Sequence, residues 1–264
     1  MPNTLPVSLE IAHHIAVVRF NRPEKMNALD MPTFAEILKI QEQIAANSNI
    51  RAVVLTAAGD NFCAGLDVQS VMIDPAAVET LLSHPENKNW LGNYVQQIVV
   101  GWQQLNIPVI AALKGYVFGG GLQIALGADF RISAPDSQLS IMEIRWGIIP
   151  DMGISVVAPS LIARDQLKLL AMTGDRISGE QALNFGLVTQ LANDPEQKAM
   201  TLAQQLCQKN PQAVQGIKQL FNGEHLEASQ RLALEEETQR KILFSANQLE
   251  AVQANLQKRD PVFK

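Results

Sequence analysis

Two carboxylates, Glu143 and Asp151, stand in the mainly apolar run SIMEIRWGIIPDMG, residues 140–153. An acid set among Ile141, Met142, Ile144 and Trp146 is desolvated if the run is buried, and desolvation raises a carboxyl pKa toward the range a general acid/base uses. Each also has a purely structural reading: Glu143 paired with Arg145 on a solvent face, Asp151 as the N-cap of a helix starting near Met152. Upstream, two segments are suited to presenting backbone donors. In FCAGLDV, residues 62–68, small Ala64 and Gly65 allow close backbone approach. In KGYVFGGGLQIALGAD, residues 114–129, Gly119, Gly120 and Gly121 fall between an apolar strand and a short apolar helix. A helix N-terminus there offers unpaired N–H groups and partial positive charge. Donors from both segments aimed at one point would hold an anionic oxygen; tight strand-to-helix turns are the alternative reading.

Other glycine chemistries are excluded by spacing. A Walker A loop needs Lys-Ser or Lys-Thr after its last glycine, where Leu122 and Gln123 stand; the glycines do not fit GxGxxG, and no GxSxG occurs. The four histidines form no HExxH or Cys/His cluster, so no metal site is expected. Cys63 and Cys207, far apart, suit a reducing compartment better than a disulfide framework.

The elements that must position these residues alternate. Strands are expected at 7–11, 15–20, 52–56, 109–113, 130–133 and 139–141, with a helix over 31–46 capped by Asp30 and carrying Pro32 in its first turn. Such alternation predicts α/β layering. Beyond about residue 155 the texture turns helical, with start signals at Ser178 and Gln181, Asp194 before Pro195, and Asn210 before Pro211. Residues 225–257 read as one long helix, packed on its own subunit or on a neighbour.

The chain has 264 residues, a formal charge of -5, 47% hydrophobic and 18% charged residues, which supports a sizeable aliphatic core and argues against disorder. With 5% aromatics and an acidic balance, neither a basic groove nor a stacking platform for nucleic acid is expected. The longest uncharged stretch, residues 89–113, carries too many amides for a bilayer core, and the N-terminus shows no signal-peptide pattern; a soluble cytoplasmic protein is expected. The thin charged coat hints at apolar surface buried between subunits.

Taken in order, NRPEKMNALD (21–30), FCAGLDV, KGYVFGGGLQIALGAD, MEIRWGIIPDMG, GEQALNFGLV (179–188) and the C-terminal KRDPVFK resemble the enoyl-CoA hydratase/isomerase, or crotonase, superfamily over almost the whole chain. The resemblance implies a ClpP-like α/β spiral of ββα units with a helical C-terminal trimerisation region, divided here as a catalytic core over 1–195 and an oligomerisation region over 196–264. It implies homotrimers or hexamers built as dimers of trimers, an acyl-CoA thioester substrate, and no cofactor beyond the coenzyme A the substrate carries. By resemblance the N–H groups of Ala64 and Gly120 form an oxyanion hole, with Gly65 and Gly119 beside them. Leu66, Asp67 and Val68 lie near the CoA adenine and pantetheine, and Lys25 meets a CoA phosphate. Residues 71–104, between the two donor motifs, line or cover the acyl pocket.

One position departs from the hydratases of the family, which place glutamates at the positions of both Gln123 and Glu143. An amide orients water but accepts no proton at neutral pH, so efficient hydration is not expected. Glu143 matches the single glutamate of family enoyl-CoA isomerases, and Asp151 a second acid of the dienoyl-CoA isomerases, although those carry aspartate at the Gln123 position. A dehalogenase branch uses the Asp151 position as nucleophile but has no acid at the Glu143 position. The resemblance therefore implies a double-bond shift through an enolate, with a 2-enoyl-CoA hydratase as first alternative and a non-catalytic acyl-CoA binder as an alternative of another class.

Overall fold

The computed structural model describes residues 5–84, 90–223 and 226–264. Among the described residues nine strands are present: β1 (Val7–Ala12), β2 (Ile15–Phe20), β3 (Ala52–Ala57), β4 (Val109–Leu113), β5 (Tyr116–Phe118), β6 (Phe130–Ser133), β7 (Gln138–Ser140), β8 (Ile177–Ser178) and β9 (Gln190–Leu191). Six of them form one sheet in the order β1-β2-β3-β4-β6-β9, and three form a second in the order β5-β7-β8. The β1–β2 pair is antiparallel, closed by His13 and His14. Both histidines have positive φ, 50° and 67°, as a two-residue hairpin turn requires. They are exposed turn residues, with His14 Nδ1 at 2.8 Å from Asn49 O.

From β2 onward the large sheet is parallel, and its central strands are buried on both faces. Val53, Leu55, Val109, Ala111 and Leu113 point into the main core, and Ala52, Val54, Ile110, Ala112 and Ile132 into a second, smaller one. That is the side-chain period of two read through the sheet. The helices Met31–Ala46 and Tyr94–Gln104 pack together over the first face. Asp30 caps the former by accepting from the Thr33 N–H. The helix Pro195–Cys207 covers the second face, with small Ala199 and Ala203 fully buried against it. Position 195 therefore begins a helix that completes the sheet's second layer.

Strands β4 and β6 of the large sheet are each followed by a strand of the small sheet, β5 and β7. Successive turns of chain thus stack as repeated strand pairs, and β5 delivers the chain directly into the helix Gly120–Leu126. The capping box at Ser178 and the caps at Asp194 and Asn210 form as expected. The expected long C-terminal helix is instead two, Ala228–Ile242 and Ala246–Gln257. Phe244 breaks it at φ 63°, and Ser245 restarts it by accepting from the Gln248 N–H. Its expected start at His225 lies outside the described residues. Among the described residues no helix is long and apolar enough to cross a membrane.

Candidate active site

The two donor segments lie side by side because they pair as strands. Cys63 N donates to Tyr116 O at 3.0 Å and Phe118 N to Cys63 O at 2.9 Å. Glycine makes the approach possible. Gly65 holds φ 91°, and a Cβ there would sit 3.0 Å from Phe118 O; a Cβ at Gly121 would be 2.6 Å from Cys63 Cβ. Gly119, at φ 50°, turns the chain from β5 into the helix that begins at Gly120.

Pairing decides which N–H groups are spent. The Ala64 N–H, expected to face a ligand, donates to Met26 O at 2.9 Å. Met26 and Asn27 both hold positive φ, and the Asn27 side chain braces this loop by accepting from Arg22 N and donating to Ala58 O and Asn61 O. The brace presents the Met26 carbonyl to Ala64, so the Ala64 assignment is corrected. Asp67 N is likewise spent, on Leu29 O at 2.9 Å. Between them the Leu66 N–H has no acceptor among the described residues. The Gly120 N–H is left open by its place in the first helical turn.

Leu66 and Gly120 line a cavity of two joined lobes, of about 330 and 410 Å³, which share Leu66, Met72, Gly120, Glu143 and Ile148. The smaller lobe adds Ala64, Gly65, Val68, Gly119 and Trp146, the larger Gln123, Asp151 and an apolar wall that includes Phe34, Val71, Leu81 and Val95. Of the stretch 71–104, Val71, Met72, Val78, Leu81, Leu82 and Val95 line the cavity; residues 85–89 lie outside the described ones.

Glu143 begins a 3-10 turn, Glu143–Trp146, and is 8% exposed. It is not paired with Arg145, whose Nε donates to Gly174 O. The Glu143 Oε1 accepts from Gln123 Nε2 at 2.6 Å, while its Oε2 is buried without a hydrogen bond. Burial pushes the Glu143 carboxyl above its ordinary range; the Gln123 amide opposes the shift and the charge of Asp151 adds to it. Asp151 is raised too, again by burial. It caps no helix, since the next one, Ile154–Val157, is preceded by Gly153.

Two expected contacts are not brought to the cavity. Asp67 faces Arg22, its Oδ2 at 3.4 Å from the guanidinium, which also meets Asp30 at 3.0 Å. Lys25 is exposed on a 3-10 turn, Pro23–Lys25, and is absent from both lobes. Sequence reasoning missed Trp146, Met142 and Ile148 as liners, although all three lie in the acid-bearing run itself.

A buried acid, two unspent donors and an apolar lobe are what deprotonation next to a carbonyl requires, and comparison with known proteins points the same way. The family model for enoyl-CoA hydratase/isomerase matches residues 10–264. The chain is 31% identical to (E)-benzylidenesuccinyl-CoA hydratase of Thauera aromatica over 81% of each chain, and 30% identical to 1,2-epoxyphenylacetyl-CoA isomerase of Escherichia coli (strain K12) over 94% of each. The crystal structure of enoyl-CoA hydratase from Bacillus anthracis superposes with a TM-score of 0.90 at 31% identity, covering 98% of this chain and 99% of that one. Fold, site and sequence agree: the chain is an α/β enzyme of the crotonase fold and belongs to the enoyl-CoA hydratase/isomerase family.

Proposed function

We propose that the enzyme shifts a carbon–carbon double bond in an enoyl- or dienoyl-CoA through an enolate. The observation that carries this reading is the environment of Glu143: one oxygen held by an amide, the other buried with its lone pairs unspent, at the junction of the two lobes. The thioester oxygen sits between the N–H groups of Leu66 and Gly120. Glu143 removes a proton from C2 of a 3-enoyl-CoA; the electrons of that C–H bond form the enolate, whose charge collects on the thioester oxygen under the two donors. The proton returns at C4 as the double bond settles between C2 and C3. For a 3,5-dienoyl chain it is delivered farther along, where Asp151 lines the larger lobe. No proton or electron is gained or lost overall. Hydration in the manner of the family's two-glutamate enzymes needs an acid/base at position 123, and the amide of Gln123 does not supply one.

The acyl chain occupies the larger lobe and the pantetheine the smaller. The exposed side chains of Phe221 and Leu256 on the C-terminal helices, and of Phe244 between two of them, support assembly into a homotrimer or a dimer of trimers, which sedimentation velocity measures. Incubating the purified enzyme with 3-enoyl-CoA and 3,5-dienoyl-CoA, and following conjugated-diene absorbance for the latter, tests the reaction. Turnover of either in excess of 2-enoyl-CoA hydration is the expected result. Rapid hydration with no isomerisation overturns it in favour of the hydratase, and CoA binding without any turnover in favour of a binder.

A further inference from the structure

We infer that Gln123 is a positioning residue: its amide bridges Glu143 Oε1 and the Met152 N–H, and so fixes which oxygen of Glu143 acts as the base and how that base stands relative to the Asp151 loop. The inference rests on the isomerase reading for its kinetic consequences. Gln123 is 1% exposed, in the helix Gly120–Leu126 whose first N–H is a proposed oxyanion donor. One short helix therefore carries both a donor and the clamp on the base.

The orientation of the amide follows from its neighbours. A backbone N–H only donates, so the atom 3.0 Å from Met152 N is the Gln123 oxygen. The Nε2 group is then the one that faces Glu143, where an ionised carboxylate only accepts. A flipped amide would oppose donor to donor and acceptor to acceptor. With Oε1 occupied, the lone pairs free to take a proton are those of Oε2. The same amide holds the backbone next to Asp151, so the spacing of the two acids depends on it.

A glutamate at position 123 would behave differently. One of its oxygens would still accept from Met152 N, and the other would face Glu143 Oε1 across the present 2.6 Å. Two carboxylates that close share a proton, and the pair titrates as a unit with a raised upper step. The amide keeps Glu143 a lone base. Other charges do little here. Arg145, in the same turn, is turned to Gly174 O, and the helix Arg164–Thr173 packed on that turn carries Arg164, Asp165 and Lys168, none of which shifts Glu143. Among the described residues Asp151 is the one charged group that does.

The test replaces Gln123 by methionine, which has similar reach and no amide, and follows Glu143 by carbon-13 NMR of labelled ligand-free protein, with Glu143→Gln assigning the signal. In Gln123→Met the Glu143 midpoint should rise, because a side-chain bond that favours its ionised form is gone; kcat should fall about 10–100-fold with KM within about threefold. In Gln123→Glu, which keeps the Met152 contact, the midpoint should rise further and kcat recover as pH is raised. An unmoved Glu143 titration in both variants, or a raised KM with unchanged kcat, overturns the inference. If the wild type isomerises neither thioester, the isomerase reading falls while the NMR titration still decides the role of Gln123. Should Gln123→Met not fold, the Gln123→Glu titration carries the decision alone.

Discussion

Glu143 and Asp129 are both largely buried acids, and burial raises both. Their partners differ. Asp129 Oδ2 accepts from Val109 N at 2.7 Å and from Lys218 Nζ at 2.8 Å, and Lys218 also donates to Trp102 O and Ile107 O. That cluster pins the helix Pro211–Asn222 to the sheet layer and leaves little for a ligand to do. Glu143 has one amide on one oxygen and nothing on the other. A raised pKa therefore does not separate the working acid from the structural one; a buried carboxylate oxygen without a partner does. The same contrast runs along the donor strand, where Ala64 N–H is spent and Leu66 N–H is not.

The largest expected effect is on Glu143. Glu143→Gln keeps the shape and removes the base, so kcat for isomerisation should fall about 10²–10⁴-fold, read from initial rates. Its effect on stability should have the opposite sign. Because the folded protein holds this proton above the unfolded range, stability linked to the protonated acid is full below the unfolded pKa and is lost as pH rises through the folded one. Glu143→Gln escapes that loss, and above the window it should be more stable than wild type by about 1 kcal/mol in urea unfolding. The acidic limb of the wild-type kcat/KM profile should fall above the ordinary carboxylate range. A variant that loses both activity and stability would place Glu143 with Asp129.

Asp129→Ala is the reverse experiment. It leaves Lys218 charged, buried and short of its anion, and should cost about 3–5 kcal/mol in denaturant unfolding. Adding Lys218→Met should recover most of that, since the orphaned charge goes too. Activity of the folded double variant should stay within about twofold of wild type. A double variant no better than the single one would show that the cluster holds the helix by something other than this pair.

On the donor side, replacing single amides by esters with α-hydroxy acids separates Leu66 from Ala64. The ester at Leu66 removes an unspent N–H, and kcat should drop about 10²–10³-fold with folding little changed. The ester at Ala64 removes the bond to Met26 O, and should cost about 1 kcal/mol of stability while sparing kcat. Equal kinetic losses at both would return the oxyanion role to Ala64.

What the sequence disclosed follows the range of the interactions involved. The sheet, the helix caps and the glycine turns are encoded within a few residues; Glu143 is buried as its apolar run suggested, although Ile144 and Trp146 in that run are exposed. Which N–H of FCAGLDV stays free depends on the Met26 carbonyl, carried by a loop nearly forty residues away in sequence. No local pattern encodes that. The adjacent Arg145 suggested an ion pair for Glu143, but the 3-10 turn sends the two side chains to different partners. The break at Phe244 was within reach, because Ser245 and Gln248 carry a visible capping signal inside an otherwise helical run.

Asp67 gives the smallest effect and extends the contrast to the rim of the cavity. Its carboxylate stands in the donor motif, beside liners Leu66 and Val68, yet it is turned to Arg22. Arg22 keeps a nearer acid in Asp30 and a backbone acceptor in Ala28 O when Asp67 is neutralised. Asp67→Asn should therefore cost at most about 1 kcal/mol of stability, as partly exposed pairs do. Affinity for CoA, measured by calorimetry, should stay within about twofold of wild type. A tenfold loss would mean that this acid, like the Oε2 atom of Glu143, has capacity left for the ligand, and that pairing in the free protein does not mark a group as structural.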